Sequence, residues 1–168
     1  MALREIITEE DEILRKKSRT VERFDAKLHQ LLDDMAQTMY KHEGVGLAAV
    51  QVGVLKRAIV IDVGEGLIEL INPEIIKATG SQEDSEGCLS FPGEYGIVER
   101  PDRVEVRALD RNGKEFTKIG TGLLARAFCH EIDHLDGVLF IDRVKKMDTP
   151  AEKPHRKKIG VRLKRTTD

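Results

Sequence analysis

The chain has 168 residues, of which 35% are charged and 40% apolar, and its formal net charge is -2. That length fits one domain with a real core, and that composition excludes a disordered or fibrous chain. No apolar run approaches the roughly 18 residues of a membrane helix, the N-terminal Met1-Ala-Leu-Arg-Glu lacks the apolar stretch of a signal peptide, and two cysteines make no disulfide framework, so the expectation is a cytoplasmic protein with no membrane contact.

Leu28, Leu31, Met35 and Met39 recur at helical spacing, with Asp25 placed as a cap and Gly44 as a stop. The apolar runs in residues 57–62 and 67–71 read as strands. Val104, Val106 and Ala108 alternate with Glu105 and Arg107, which predicts a half-buried strand; residues 110–114 then turn into another over 115–119. Residues 123–135 predict a second helix, with Gly137 placed to end it. From residue 145 onward the chain carries nine Lys or Arg, three acids, two prolines and almost no apolar periodicity. The organisation is an α+β domain over residues 1–144 and a basic, poorly structured tail over 145–168.

His130-Glu131-Ile132-Asp133-His134 is an H-E-x-x-H motif on the second helix. Four residues are about one turn, so both imidazoles leave one face and can grip one metal ion. Glu131 can then reach a metal-bound water as its base. Leu123, Leu124, Ala127, Phe128, Ile132 and Leu135 make this a largely buried helix, where two histidines and an acid need partners. A catalytic site of this kind takes a third protein ligand. The longer protease motif that ends in a third histidine has Phe140 there instead, and the sole Glu downstream, Glu152, lies between Pro150 and Pro154. That leaves Cys88, in Glu86-Gly87-Cys88-Leu89-Ser90, as the best candidate, since a thiolate binds zinc and ferrous iron well. Cys129, beside His130, reads as a buried free thiol with no catalytic role.

Gly44-Val45-Gly46-Leu47-Ala48-Ala49 fits a form of the dinucleotide fingerprint, but the segment before it is helical where the fingerprint needs a strand. The alternatives are a glycine turn entering a sheet and a backbone, at Gly46, that lets an extended substrate come close. Gln51 follows, and its amide can donate to a developing oxyanion.

Together, Gly44 to Gln51, Glu86 to Ser90 and His130 to His134 resemble the peptide deformylase family, whose three motifs stand here complete and in order, within a likeness running from about residue 4 to about residue 144. The resemblance implies antiparallel strands packed around the H-E-x-x-H helix, and removal of formate from N-formylmethionyl nascent polypeptides. It implies one divalent metal, Fe2+ as the usual physiological ion with Ni2+, Co2+ or Zn2+ as substitutes. It assigns Cys88, His130 and His134 as ligands, Glu131 as proton shuttle, and the Gln51 amide and the Leu89 N–H as oxyanion donors. Val45, Leu123 and Ala127 are by the same likeness the lining of a methionine pocket. The sequence departs from the family pattern at residues 8–12, where many members carry a proline turn, and in the tail, where many bacterial members end in a regular helix. A basic tail suits contact with the RNA phosphate of the ribosome. The rival readings are a general metallopeptidase, which a downstream His or Glu ligand would favour, and a metal-binding protein without catalysis, which an open coordination position beside Glu131 would disfavour.

Overall fold

Asp25 accepts a hydrogen bond from the Leu28 amide and opens helix α1, Ala26–Lys41, in a computed structural model that describes residues 2–148. Leu28, Leu31, Leu32, Met35 and Met39 lie on one buried stripe of α1. The helix ends in a Schellman motif: the Gly44 amide bonds the Met39 carbonyl and the Glu43 amide bonds the Tyr40 carbonyl. Glu43 takes the left-handed conformation, at φ 56°. The glycine expected as the stop sits one residue past the turn itself.

Strands β1 (Gly46–Ala48), β2 (Ala58–Ile61), β3 (Ile68–Thr79), β6 (Arg103–Leu109) and β7 (Glu115–Thr121) form a five-stranded antiparallel sheet in the order β1-β2-β3-β6-β7. The glycine segment is thus preceded by α1 and is itself partly strand, the reverse of a dinucleotide loop. Strand β2 is buried along its whole length because it is covered on both sides. Ala58 and Val60 pack with the α1 leucines and methionines, and Ile59 and Ile61 pack with Phe128 and Ile132 of the second helix. That helix, α2, spans Gly122–Leu135. Gly137 ends it at φ 73°, and a Cβ there would lie 2.3 Å from the Arg15 carbonyl oxygen, so only glycine fits.

A second sheet has the order β4-β5-β8, with β4 Gln82–Cys88, β5 Phe91–Arg100 and β8 Val144–Met147. Residues 145–147, read from sequence as the start of the tail, therefore pair with β5, Met147 opposite Gly96 and Lys146 opposite Ile97. The boundary drawn after residue 144 falls inside a strand. Lys145 donates to Glu83 and Glu99, Ser85 donates to the Asp148 carboxylate, and the Asp148 amide donates to the Tyr95 carbonyl. Residues 149–168, the rest of that reading, lie outside the described residues. Among the described residues no helix is long and apolar enough to cross a membrane.

Candidate metal centre

His130 and His134 lie on one face of α2, with ring centroids 5.0 Å apart. Cys88 meets them from the end of β4, its Sγ 3.3 Å from His134 Nε2. One donor atom from each of the three residues falls within 4.8 Å of the others, and all three residues are buried. His130 Nε2 is buried with no hydrogen-bond partner among the described residues. A buried nitrogen left without a partner is unfavourable unless something else binds it. Burial and the neighbouring His130 hold His134 well below the ordinary imidazole value, so it offers a lone pair. One thiol and two imidazoles around an orphaned nitrogen fit a divalent ion such as zinc or ferrous iron.

Sequence reasoning passed over what holds His130. Its Nδ1 lies 2.6 Å from Glu86 Oε1, on β4. The same carboxylate receives Arg100 Nη2 at 2.6 Å, Arg100 Nε at 3.0 Å and Arg126 Nη1 at 2.7 Å. Burial alone would raise the Glu86 carboxyl, but His130 and Arg100 outweigh it and hold it well below the ordinary carboxylate range. An ionised carboxylate only accepts, so a hydrogen sits on His130 Nδ1, and Nε2 is the nitrogen that would meet an ion. Burial pulls the His130 pKa down, but Glu131, Cys88 and Glu86 outweigh it and hold it well above the ordinary imidazole value, so a bound ion would displace a proton from Nε2. Arg100 also donates to Asp133, which Arg143 grips in turn. The readable signal was Arg126, a charged residue one turn before His130 on a largely buried helix.

Glu131 is fully buried, and neither carboxylate oxygen has a hydrogen-bond partner among the described residues. Burial pushes its pKa up to about 7, against the pull of His130. Its carboxylate lies over β1: a Cβ at Gly46 would stand 2.5 Å from Glu131 Oε2. Glycine at position 46 makes room for the acid itself. Gln51 is locked by its Oε1, which accepts from the Ala48 amide at 3.0 Å. Its Nε2 then donates to Ser90 Oγ at 3.1 Å and faces Cys88 Sγ at 3.5 Å. Leu89 follows Cys88 directly in the turn between β4 and β5, and its side chain packs with the α1 cluster. Val45 and Ala127 are buried, and half-buried Leu123 packs beside them in the α2-side core. A cavity of about 450 Å³ with Cys88 in its wall is lined instead by Arg4, Glu5, Ile6, Thr8, His42, Leu89 and Pro92. Burial pushes the Cys129 thiol up to about 11, which suits an inert side chain.

The family model for polypeptide deformylase matches residues 3–150. A peptide deformylase of Caldicellulosiruptor bescii is 61% identical over 163 residues, covering 97% of this chain and 98% of the relative. One from Alkaliphilus metalliredigens is 65% identical over 144 residues, covering 86% and 98%. The crystal structure of peptide deformylase from Thermotoga maritima superposes with a TM-score of 0.85 at 41% identity, covering 86% of this chain and 99% of that one.

Proposed function

The chain belongs to the polypeptide deformylase family, and on that premise we propose how its residues divide the hydrolysis of a formamide. The enzyme removes the N-terminal formyl group of newly made proteins and releases formate. Cys88, His130 and His134 are the residues that would hold one divalent metal, Fe2+ by preference, with Ni2+, Co2+ or Zn2+ able to stand in. When bound, such an ion supplies Lewis acidity that makes water nucleophilic at neutral pH. Glu131 accepts the proton of the attacking water at its unpaired carboxylate and returns it to the leaving amine. Gln51 Nε2 and the Leu89 N–H donate to the developing oxyanion. Val45, Leu123 and Ala127 line the methionine side chain's place, and Gly46 lets the substrate backbone come close to the acid. Strands β1 and β4 each end a sheet, so their outer edges can pair with an extended peptide. The cytoplasm, where new chains appear, is the proposed location.

What supports this reading is the meeting of three donor atoms within 4.8 Å beside a buried carboxylate that makes no hydrogen bond among the described residues. Anaerobically purified protein is expected to carry one divalent ion per chain and to release formate from formyl-Met-Ala-Ser. No release above a chelator-treated control would sink the assignment. The iron form should lose activity in air faster than a nickel form, since a ferrous–thiolate centre with an open coordination position is oxidised readily. Equal half-lives under the same aeration would remove iron-centred lability.

The Lys- and Arg-rich segment from Lys145 onward is proposed to touch ribosomal RNA weakly, on the strength of its charge alone. A chain ended after Asp148 keeps β8, and is expected to hydrolyse a small formyl-peptide at the full-length rate while binding ribosomes less well at low salt. A chain ended after Arg143 also loses the buried Ser85–Asp148 bond, worth about 1.5–3 kcal/mol for a charged partner. Its lowered Tm identifies that separate, structural effect. Identical ribosome binding by the full-length and 148-residue forms across a salt series would dispose of the contact.

A further inference from the structure

Arginine is rarely fully buried, yet Arg126 on α2 is 2% exposed. Its Nη1 donates to Glu86 Oε2 at 2.7 Å and to the Val98 carbonyl at 2.9 Å. Its Nη2 is buried with no hydrogen-bond partner among the described residues. Leaving that donor unmet is unfavourable, so something else must keep the side chain there.

Charge balance for Glu86 does not require it. Arg100 already pairs with Glu86 through two nitrogens, one to each oxygen. That grip comes from β5 and reaches the helix only indirectly, through Arg100 Nη1 on Asp133 of α2. Arg126 and His130 are four residues apart and share a face of α2. Arg126 holds Oε2 while His130 holds Oε1, so the helix grasps the carboxylate at two points. The contact with Val98 ties the same side chain to β5.

We infer that Arg126 is a positioning residue for the metal centre: acting through Glu86, it fixes the plane of the His130 ring and so the direction of Nε2. The inference rests on the three-ligand reading above. Outer groups that orient a ligating histidine typically change metal affinity about 10- to 100-fold when removed.

Cobalt(II) is the probe, because its absorption reports both a thiolate ligand and the geometry around the ion. Arg126→Met is expected to weaken cobalt affinity about 10- to 100-fold, measured by chelator competition, and to shift the ligand-field bands. Arg126→Lys, which keeps a cationic donor, is expected to recover most of that loss. In the zinc-loaded wild type the exchangeable His130 Nδ1 proton should give a sharp NMR signal, broadened or lost in Arg126→Met. Arg111, paired with Asp33 and Glu69 away from the centre, serves as control, and Arg111→Met should lower Tm without touching the cobalt spectrum. If Arg126→Met does not fold, Arg126→Gln is read in its place. Wild-type cobalt affinity and spectrum in the folded variant, whatever its Tm, overturn the inference and leave the ligand reading intact. A wild type without a thiolate-to-cobalt band, or one that keeps the band in Cys88→Ser, overturns the ligand reading and this inference with it.

Discussion

Cys88→Ala is expected to lose both bound metal and deformylase activity, with metal affinity falling by more than the 10- to 100-fold typical of outer-shell changes. The reason is arithmetic of ligands. His130 and His134 supply two donors from one helix face, and Cys88 is the third residue whose donor atom reaches them within 4.8 Å. Two imidazoles alone leave a divalent ion held mainly by water. The variant should still fold. Cys88 is fully buried, and replacing its thiol by hydrogen leaves a small void costing about 1 kcal/mol. It also frees the Gln51 amide from one neighbour while the Ser90 bond remains. Metal content measured beside Tm therefore separates ligand loss from unfolding. Full occupancy and full rate in a folded Cys88→Ala protein would mean that another residue completes the site.

The two helices and the strands β2 and β6 were legible from their buried apolar residues, and β7 from the turn at residues 110–114 that leads into it. The second sheet was not. In β4 the buried positions are Ser85, Glu86, Gly87 and Cys88, so burial there carries no hydrophobic signature. Those residues are inside because they serve one another and the centre, and a pattern that equates inside with apolar passes over them. The same holds for Arg100 and Arg126. Each is buried where Glu86 meets it from another element, a pairing across 14 and 40 residues of sequence that no local window contains. Strand β8 reads as the start of a basic tail because its sequence is Val-Lys-Lys-Met. It is held by pairing with β5, with Lys145 on Glu83 and Glu99 at its edge, again a match of residues far apart in sequence. Gly46 shows the limit from the other side. Sequence reasoning found the glycine and the need for close approach, but the atom that approaches in the structure is Glu131 Oε2.

Glu131→Gln separates binding from chemistry, and its two effects should run in opposite directions. Glu131 lies outside the group of three donors, so metal content is expected to stay at the wild-type level. Turnover should drop about 10²- to 10⁴-fold, the usual worth of a general acid–base group. Stability should move the other way in the metal-free protein. The Glu131 carboxyl ionises near its ordinary 4.5 when unfolded and near 7 when folded, because burial penalises the charge. The folded state therefore binds this proton more tightly than the unfolded state. Its stabilising share is complete below about pH 4.5, is lost as pH rises, and is gone above about 7. A shift of that size corresponds to about 3 kcal/mol, at 1.36 kcal/mol per unit. Glutamine has the same shape and never ionises, so the advantage of the Gln variant in Tm should grow from pH 4.5 to 7 and level off beyond. The group that strains the fold at neutral pH would then be the one that moves the proton in catalysis. Near-normal turnover with metal bound removes Glu131 from the proton path. A Tm difference that does not change with pH removes the buried charge as the source of the strain.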